Sequence, residues 1–198
     1  MSKINSLSIS LIERFHNDNL YIPTRTIYFA GTERLTEDSD EVSAVSVAQL
    51  IKNIHILDSI NSEPITLLLN TCGGEWESGI AVYDLIKTIK SKVYIIGLGK
   101  LYSMGSVIFQ AGDRRYIYPN TSLMVHDGRE GYYGDTKSFE NWAINSKKIR
   151  ETMYKIYYDR MIKKNKNITL KEIEEMCSHD SIFNSDEMIK LGFADYII

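Results

Sequence analysis

Ser103 lies in the run Gly97-Leu98-Gly99-Lys100-Leu101-Tyr102-Ser103-Met104-Gly105-Ser106, at the predicted start of a short apolar helix. Unpaired amides and the positive end of the helix dipole gather at such a point, and both favour a developing negative charge. Serine is also an ordinary N-cap there, so position alone does not make it a nucleophile. His126 closes the apolar run Ser122-Leu123-Met124-Val125 and is followed by Asp127-Gly128. A histidine at the carboxyl end of a strand can act as general base to a serine across the same crevice. A structural, hydrogen-bonded histidine is the competing account. A carboxylate that orients the histidine would complete the set. Asp180, after a predicted helix and before Ile182-Phe183, is the candidate, and it also reads as a plain turn aspartate. Gly73-Gly74 follows an apolar strand and precedes a helix. Paired glycines let backbone N–H groups face a site with no side chain in the way, although a tight strand–helix turn wants the same residues. The GxxxxGK phosphate-loop pattern is absent. The chemistry that these groups could perform together is acyl transfer through a serine nucleophile.

These residues depend on the elements around them. Strands are predicted at 26–30, 65–69, 93–97, 115–118, 122–125 and 194–198, with 98–102 as a turn. The run 65–69 (ITLLL) is continuously apolar, as for a strand covered on both faces. Helical spacing of apolar residues predicts helices at 42–60, 78–90, 103–111, 136–164, 170–176 and 185–191. Thr169 and Glu172 form a capping-box pattern at one helix start, and Gly192 stops the last helix. The helix over 136–164 carries Trp142, Ile144, Ile149, Met153 and Ile156, too apolar for a free surface helix. Either an assembly partner or the chain's own core must cover it. Strand and helix alternate from Ile65 onward, which implies a parallel α/β sheet with right-handed crossovers. Sites in such sheets form in the loops after the strands' carboxyl ends, where Gly73-Gly74, Ser103 and His126 all fall. Residues 1–24, polar and closed by Pro23, read as an arm before one domain at 25–198; an edge helix and strand packed on that domain is the alternative.

Composition narrows the classes. The chain has 198 residues, 43% hydrophobic and 25% charged, which suits one globular domain able to bury its own core. Net charge is −3, from 26 acids and 23 bases, so no basic excess points to nucleic acid. Two cysteines, Cys72 and Cys177, make neither a disulfide framework nor a four-ligand zinc site. No signal-peptide pattern and no membrane-spanning run is visible, so a reducing cytoplasm with both thiols free is expected.

Taken in order, the motifs cease to be generic. Asn70-Thr71-Cys72-Gly73-Gly74, Tyr83-Asp84, Tyr102-Ser103-Met104-Gly105-Ser106, Pro119-Asn120-Thr121-Ser122, Met124-Val125-His126, Asp180 and Gly192-Phe193-Ala194-Asp195 stand in register. From about Thr26 to Ile198 the chain resembles the ClpP family, the proteolytic subunits of Clp proteases. The resemblance implies a ClpP/crotonase-type spiral of βαβ units, with a protruding strand–helix handle at about 127–164. It implies Ser103 as nucleophile, His126 as base and Asp180 as third triad member. It places the oxyanion hole at the backbone N–H groups of Gly74 and Met104, each donor being worth about 3 kcal/mol at the transition state. It implies substrate binding along Gly128, Arg129 and Glu130 by strand addition. No metal or cofactor is implied. The implied assembly is a homo-oligomer, a heptameric ring stacked as a tetradecamer through the handle, and the implied partner is an AAA+ unfoldase.

Departures from the family pattern accompany the match. Cys72 stands in place of a proline before Gly73-Gly74, and Lys100-Leu101-Tyr102 in place of small residues before the nucleophile. Ser178-His179 replace an acid–arginine pair before Asp180, which implies weaker or pH-dependent coupling between rings. Thr66 and Leu68 occupy the places of tyrosines that hold the unfoldase's loops, and the N-terminal segment is unlike the family's axial loops. These last two weigh against the usual unfoldase. The expected function is therefore an ATP-independent serine endopeptidase core. The alternatives are a catalytically silent ring or scaffold subunit and a phage head-maturation-type protease. A crotonase-type acyl-CoA enzyme would share the fold but needs an acidic acid/base, for which only Glu75 and Glu77 are near.

Overall fold

The computed structural model describes residues 6–30 and 42–198, with side chains from residue 9 onward. The acidic loop read at 32–41 lies outside the described residues. Two long apolar strands, β3 (Ile65–Thr71) and β4 (Val93–Tyr102), run parallel through the middle of the sheet. On one side β2 (Thr26–Phe29) joins β3 in parallel, and a two-residue β1 (Leu20–Tyr21) pairs antiparallel with β2. On the other side lie β5 (Arg114–Ile117) and β8 (Tyr196–Ile197), both parallel. β6 (Ser122–Val125) pairs with β4, and β7 (Ser181–Phe183) pairs antiparallel with β6. The mixed, largely parallel α/β architecture expected from the alternation is thus present.

Three local expectations change. The polar segment ahead of Pro23 contributes α1 (Ser6–Asp18) and then β1, whose Leu20 is buried. Its last residues thus join the sheet. Residues 98–102, predicted as a turn from Gly97 and Gly99, continue β4. The strand bends at Gly99, where φ is +58°, and exchanges partners. Its first half pairs with β5, and Lys100–Tyr102 pair with β6. Strand β3 is covered on one face only: Ile65, Leu67 and Leu69 are buried, whereas Thr66 and Leu68 are partly open. The reason is that the core helices cover one side of the sheet. The opposite side carries the row Tyr28, Leu68, Ile96, Tyr116 and Tyr196, in register and partly exposed.

α2 (Ala44–Ile60) starts with a Ser43–Ser46 capping box. α3 (Trp76–Thr88) leaves the Gly-Gly loop. α4 (Met104–Ala111) is buried along its whole length, so its first residue is held by the core itself. α5 (Thr136–Met161) divides: Met153, Tyr154, Ile156, Tyr157 and Met161 enter the core, while Phe139 and Ile144 stay exposed. The chain's own core thus accounts for the second half of its apolar face. α6 (Leu170–Cys177) has the Thr169–Glu172 capping box, and α7 (Ser185–Leu191) ends at left-handed Gly192.

Candidate active site

β4 delivers Ser103. Its backbone, at φ 51° and ψ −123°, lies in a region that L-residues avoid, at a cost of about 1–3 kcal/mol. Ser103 occupies the N-cap position of α4, yet its side chain makes no cap hydrogen bond. The strained turn instead aims Oγ at His126 Nε2, 2.8 Å away. Neighbours hold the turn. Ser103 N donates to Met124 O (2.9 Å), and Ser103 O accepts from Ser106 Oγ (2.6 Å). With its proton so used, Ser106 Oγ accepts from the Tyr157 hydroxyl at 2.7 Å. Burial raises the Tyr157 phenol, with Cys177 adding to the shift, so it remains a donor.

His126 directly follows the last residue of β6. Asp180 stands just before β7, and its Oδ1 lies 2.9 Å from His126 Nδ1. Because a carboxylate only accepts, Nδ1 carries the hydrogen and Nε2 is left as the acceptor toward Ser103. The segment after His126 is tied down separately. Asp127 N donates to Cys177 O (2.7 Å), and Tyr154 donates to Asp127 Oδ1 (2.6 Å). The Cys177 thiol is pushed up to about 12 by burial, then by the Asp127 charge, and stays protonated.

Gly73 and Gly74 complete the site. Val42 N donates to Gly73 O and Glu75 N to Val42 O, each at 2.8 Å, as a parallel bridge between Val42 and Gly74. In such a bridge the central residue's own N–H points away from the partner strand. Val42 backbone lies against one side of Gly74, while Gly73 lies against Ser103 and Met104. A Cβ on Gly73 would come within 2.6 Å of Ser103 Cβ and 2.9 Å of Met104 N. Both glycines have positive φ, 101° and 147°, open to glycine at little cost. The amides of Gly74 and Met104 donate to no group among the described residues.

The structure therefore brings together all five residues expected at the chemical centre: Ser103, His126, Asp180, Gly74 and Met104. Gly128, Arg129 and Glu130, the expected substrate strand, are exposed along the same cleft of about 720 Å³, without a ladder partner among the described residues. Cys72 is an exposed thiol whose sulfur contacts Lys100 Nζ at 2.7 Å. No trio of His, Cys, Asp or Glu is placed to hold a metal among the described residues. Sequence reasoning missed the cleft's far wall on α5: Trp142, Ser146, Ile149, Arg150 and Met153. The signal is their helical spacing, which by itself predicts only an apolar stripe.

Comparison with known proteins identifies the family. A family model described as Clp protease matches residues 30–198. The ATP-dependent Clp protease proteolytic subunit of Deinococcus radiodurans is 33% identical over 175 residues, 87% of this chain and 79% of that protein. Subunit 2 of the same description from Pseudomonas aeruginosa is 31% identical over 166 residues, 83% of this chain and 79% of that one. Among solved structures, a mutant of ClpP1 from Listeria monocytogenes superposes with a TM-score of 0.76 at 25% identity, covering 89% of this chain and 92% of the other. With sequence, fold and family model in agreement over most of its length, the chain belongs to the Clp protease family.

Proposed function

We propose that this chain is a serine peptidase that cleaves peptides or unfolded polypeptides through Ser103, His126 and Asp180. One observation carries the proposal: a single imidazole bridges Ser103 Oγ at 2.8 Å and Asp180 Oδ1 at 2.9 Å. His126 Nε2 takes the Ser103 proton as Oγ attacks the substrate carbonyl carbon. The carbonyl oxygen gains the negative charge and is met by the amides of Gly74 and Met104. His126 then returns the proton to the leaving amine, and the acyl-enzyme forms. A water, deprotonated by His126, attacks the ester, and His126 passes that proton to Ser103 Oγ as the acid product leaves. Asp180 holds the imidazole in the required tautomer and balances its charge. No step consumes ATP.

Assembly is part of the proposal: a ring of seven copies, two rings meeting through the handle. Support comes from the exposed apolar side chains at the start of α5. Phe139 stacks on Trp142 there, Tyr132 lies tilted against both, and Ile144 of the same helix is 57% exposed. Such a patch on a protomer calls for a covering surface. Thr66 and Leu68, standing where the resemblance expects tyrosines, weigh against the unfoldase docking that it implies.

The test is a fluorophosphonate with intact-mass detection. One adduct per chain is expected, absent in Ser103→Ala. Full labelling of that variant refutes the nucleophile. Mass photometry of the same sample is expected to show a multi-subunit particle, and a strict monomer contradicts the assembly.

A further inference from the structure

The cleft beside Ser103 is not uniformly apolar. On α5, Ser146, Ile149, Arg150 and Met153 turn toward it at spacings of a single helix face, opposite Met104 and Val107 of α4. Four of these six are apolar. Ser146 is buried, and its Oγ accepts a hydrogen bond from Arg150 Nη1 at 2.7 Å. That bond is the guanidinium's one hydrogen bond among the described residues, and no described carboxylate stands within 4.0 Å of it. Arg150 thus brings a positive charge and spare donors into a mostly apolar space one helix away from the candidate nucleophile.

Other charges line the same cleft: Asp127, whose half-buried carboxylate accepts from the Tyr154 hydroxyl at 2.6 Å, and Glu75, Glu77, Arg129 and Glu130. The last four are exposed, whereas Arg150, like Asp127, is half-buried. Exposed charges are screened by water and salt, and a charge in a partly closed apolar pocket is screened much less. Glu75 is further engaged by the Ser78 hydroxyl at 2.6 Å. Arg150 is therefore the half-buried cation of the cleft, with donors to spare.

We propose that Arg150 is a specificity-determining residue that selects an acidic side chain, glutamate above all, in the substrate residue on the acyl side of the cut bond. A carbonyl placed at Ser103 Oγ puts that residue's side chain next to Met104 and Val107. Glutamate fits the chemistry of the walls. Its two methylenes lie against Met104, Val107, Ile149 and Met153, and its carboxylate accepts a forked pair of hydrogen bonds from the guanidinium. Ser146 holds one edge of the guanidinium and so limits its rotation. Leucine in the same place would leave the cation desolvated and unpaired, which disfavours it. The inference rests on the serine-peptidase function proposed above.

The experiment uses the full chain and three fluorogenic peptides that differ only in glutamate, glutamine or leucine before an aminocoumarin. The expected kcat/KM for glutamate exceeds that for its isostere glutamine by about tenfold or more, the size of a charge-assisted hydrogen bond. In Arg150→Gln the glutamate:glutamine ratio is expected to fall to about one. In Arg150→Lys, which keeps the charge but not the fork, it is expected to lie between the two. The lysine variant carries the test if Arg150→Gln does not fold. A wild-type ratio at or below one, or a ratio unmoved by both substitutions, overturns the inference. Fluorophosphonate labelling separates the two levels. Protein that labels at Ser103 but shows no glutamate preference refutes the role of Arg150 alone. Protein that neither labels nor cleaves any of the peptides removes the peptidase function and this inference together.

Discussion

His126 and Asp180 face each other one step beyond the last pair of the β6–β7 ladder, Val125 and Ser181. The antiparallel register, which pairs Leu123 with Phe183 and Met124 with Ile182, leads to this meeting of residues 54 apart in sequence. β7 has only three residues, so its main consequence for the site is to place this carboxylate. Asp180→Asn keeps the shape but offers His126 an amide that can stabilise the wrong tautomer. Its kcat is expected to fall by about 10⁴-fold. Stability should barely move, because the aspartate side chain is 58% exposed and such pairs are worth about 0–1 kcal/mol. Peptidase kinetics and thermal melts on the same variant check both halves.

Gly73→Ala tests the oxyanion loop. The added methyl would meet Ser103 Cβ at 2.6 Å and Tyr102 O at 2.7 Å, and φ of 101° adds strain. Loop and nucleophile must move apart. A loss of about a hundredfold or more in kcat is expected, comparable to removal of one oxyanion donor. Near-normal kcat in a folded variant argues against Gly73-Gly74 as part of the site.

Tyr157→Phe probes the support beneath the nucleophile. It leaves Ser106 Oγ without the donor that now reaches it at 2.7 Å, in a fully buried place. An unfolding free energy lower by about 1–3 kcal/mol is expected from chemical denaturation. A smaller fall in kcat than for Asp180→Asn should accompany it, since Ser106 still donates to Ser103 O.

The Arg115–Asp195 pair ties the C-terminal strand to β5. Arg115 is buried and also donates to Gln110 Oε1 and Gly192 O. Partial burial raises the Asp195 carboxyl, but hydrogen bonds and charge from Arg115 outweigh it and hold it below the ordinary value. A depressed native pKa gives stability that is complete above the unfolded value of about 3.9 and is lost as pH falls through the native one. Asp195→Asn is expected to cost about 2–4 kcal/mol near neutral pH. The gap to wild type should close in strong acid, as read from melts across a pH series.

The two thiols should differ sharply. Cys72 is exposed on the loop before Gly73, and Cys177 is buried with its thiol pushed up to about 12 by burial and Asp127. Iodoacetamide is expected to modify Cys72 alone in the native protein, with Cys177 reacting only after denaturation. Peptide mapping with and without urea reads the outcome.

Much of this molecule was legible in local sequence. Helix α6 announces itself through Thr169 and Glu172, α7 through Gly192, and the central strands through ITLLL and VYII. Those signals act within a few residues, through capping, chirality and hydrophobic spacing, so a single chain displays them. Ser103, His126 and the glycine pair were visible because each closes or follows such an element. Tertiary structure alone decided the rest. The turn expected at 98–102 became strand because β6 lay alongside to pair with it. The row Leu68, Ile96 and Tyr116 stayed partly open because the core helices pack on the other face of the sheet. Ser103 took a strained backbone that no propensity favours, held by Met124, Ser106 and the buried helix behind it. Arg150 gained its place in the cleft only when α5 packed along α4, since a charged residue on a helix ordinarily faces water. Short-range chemistry wrote the elements, and long-range packing chose which of their side chains share a site.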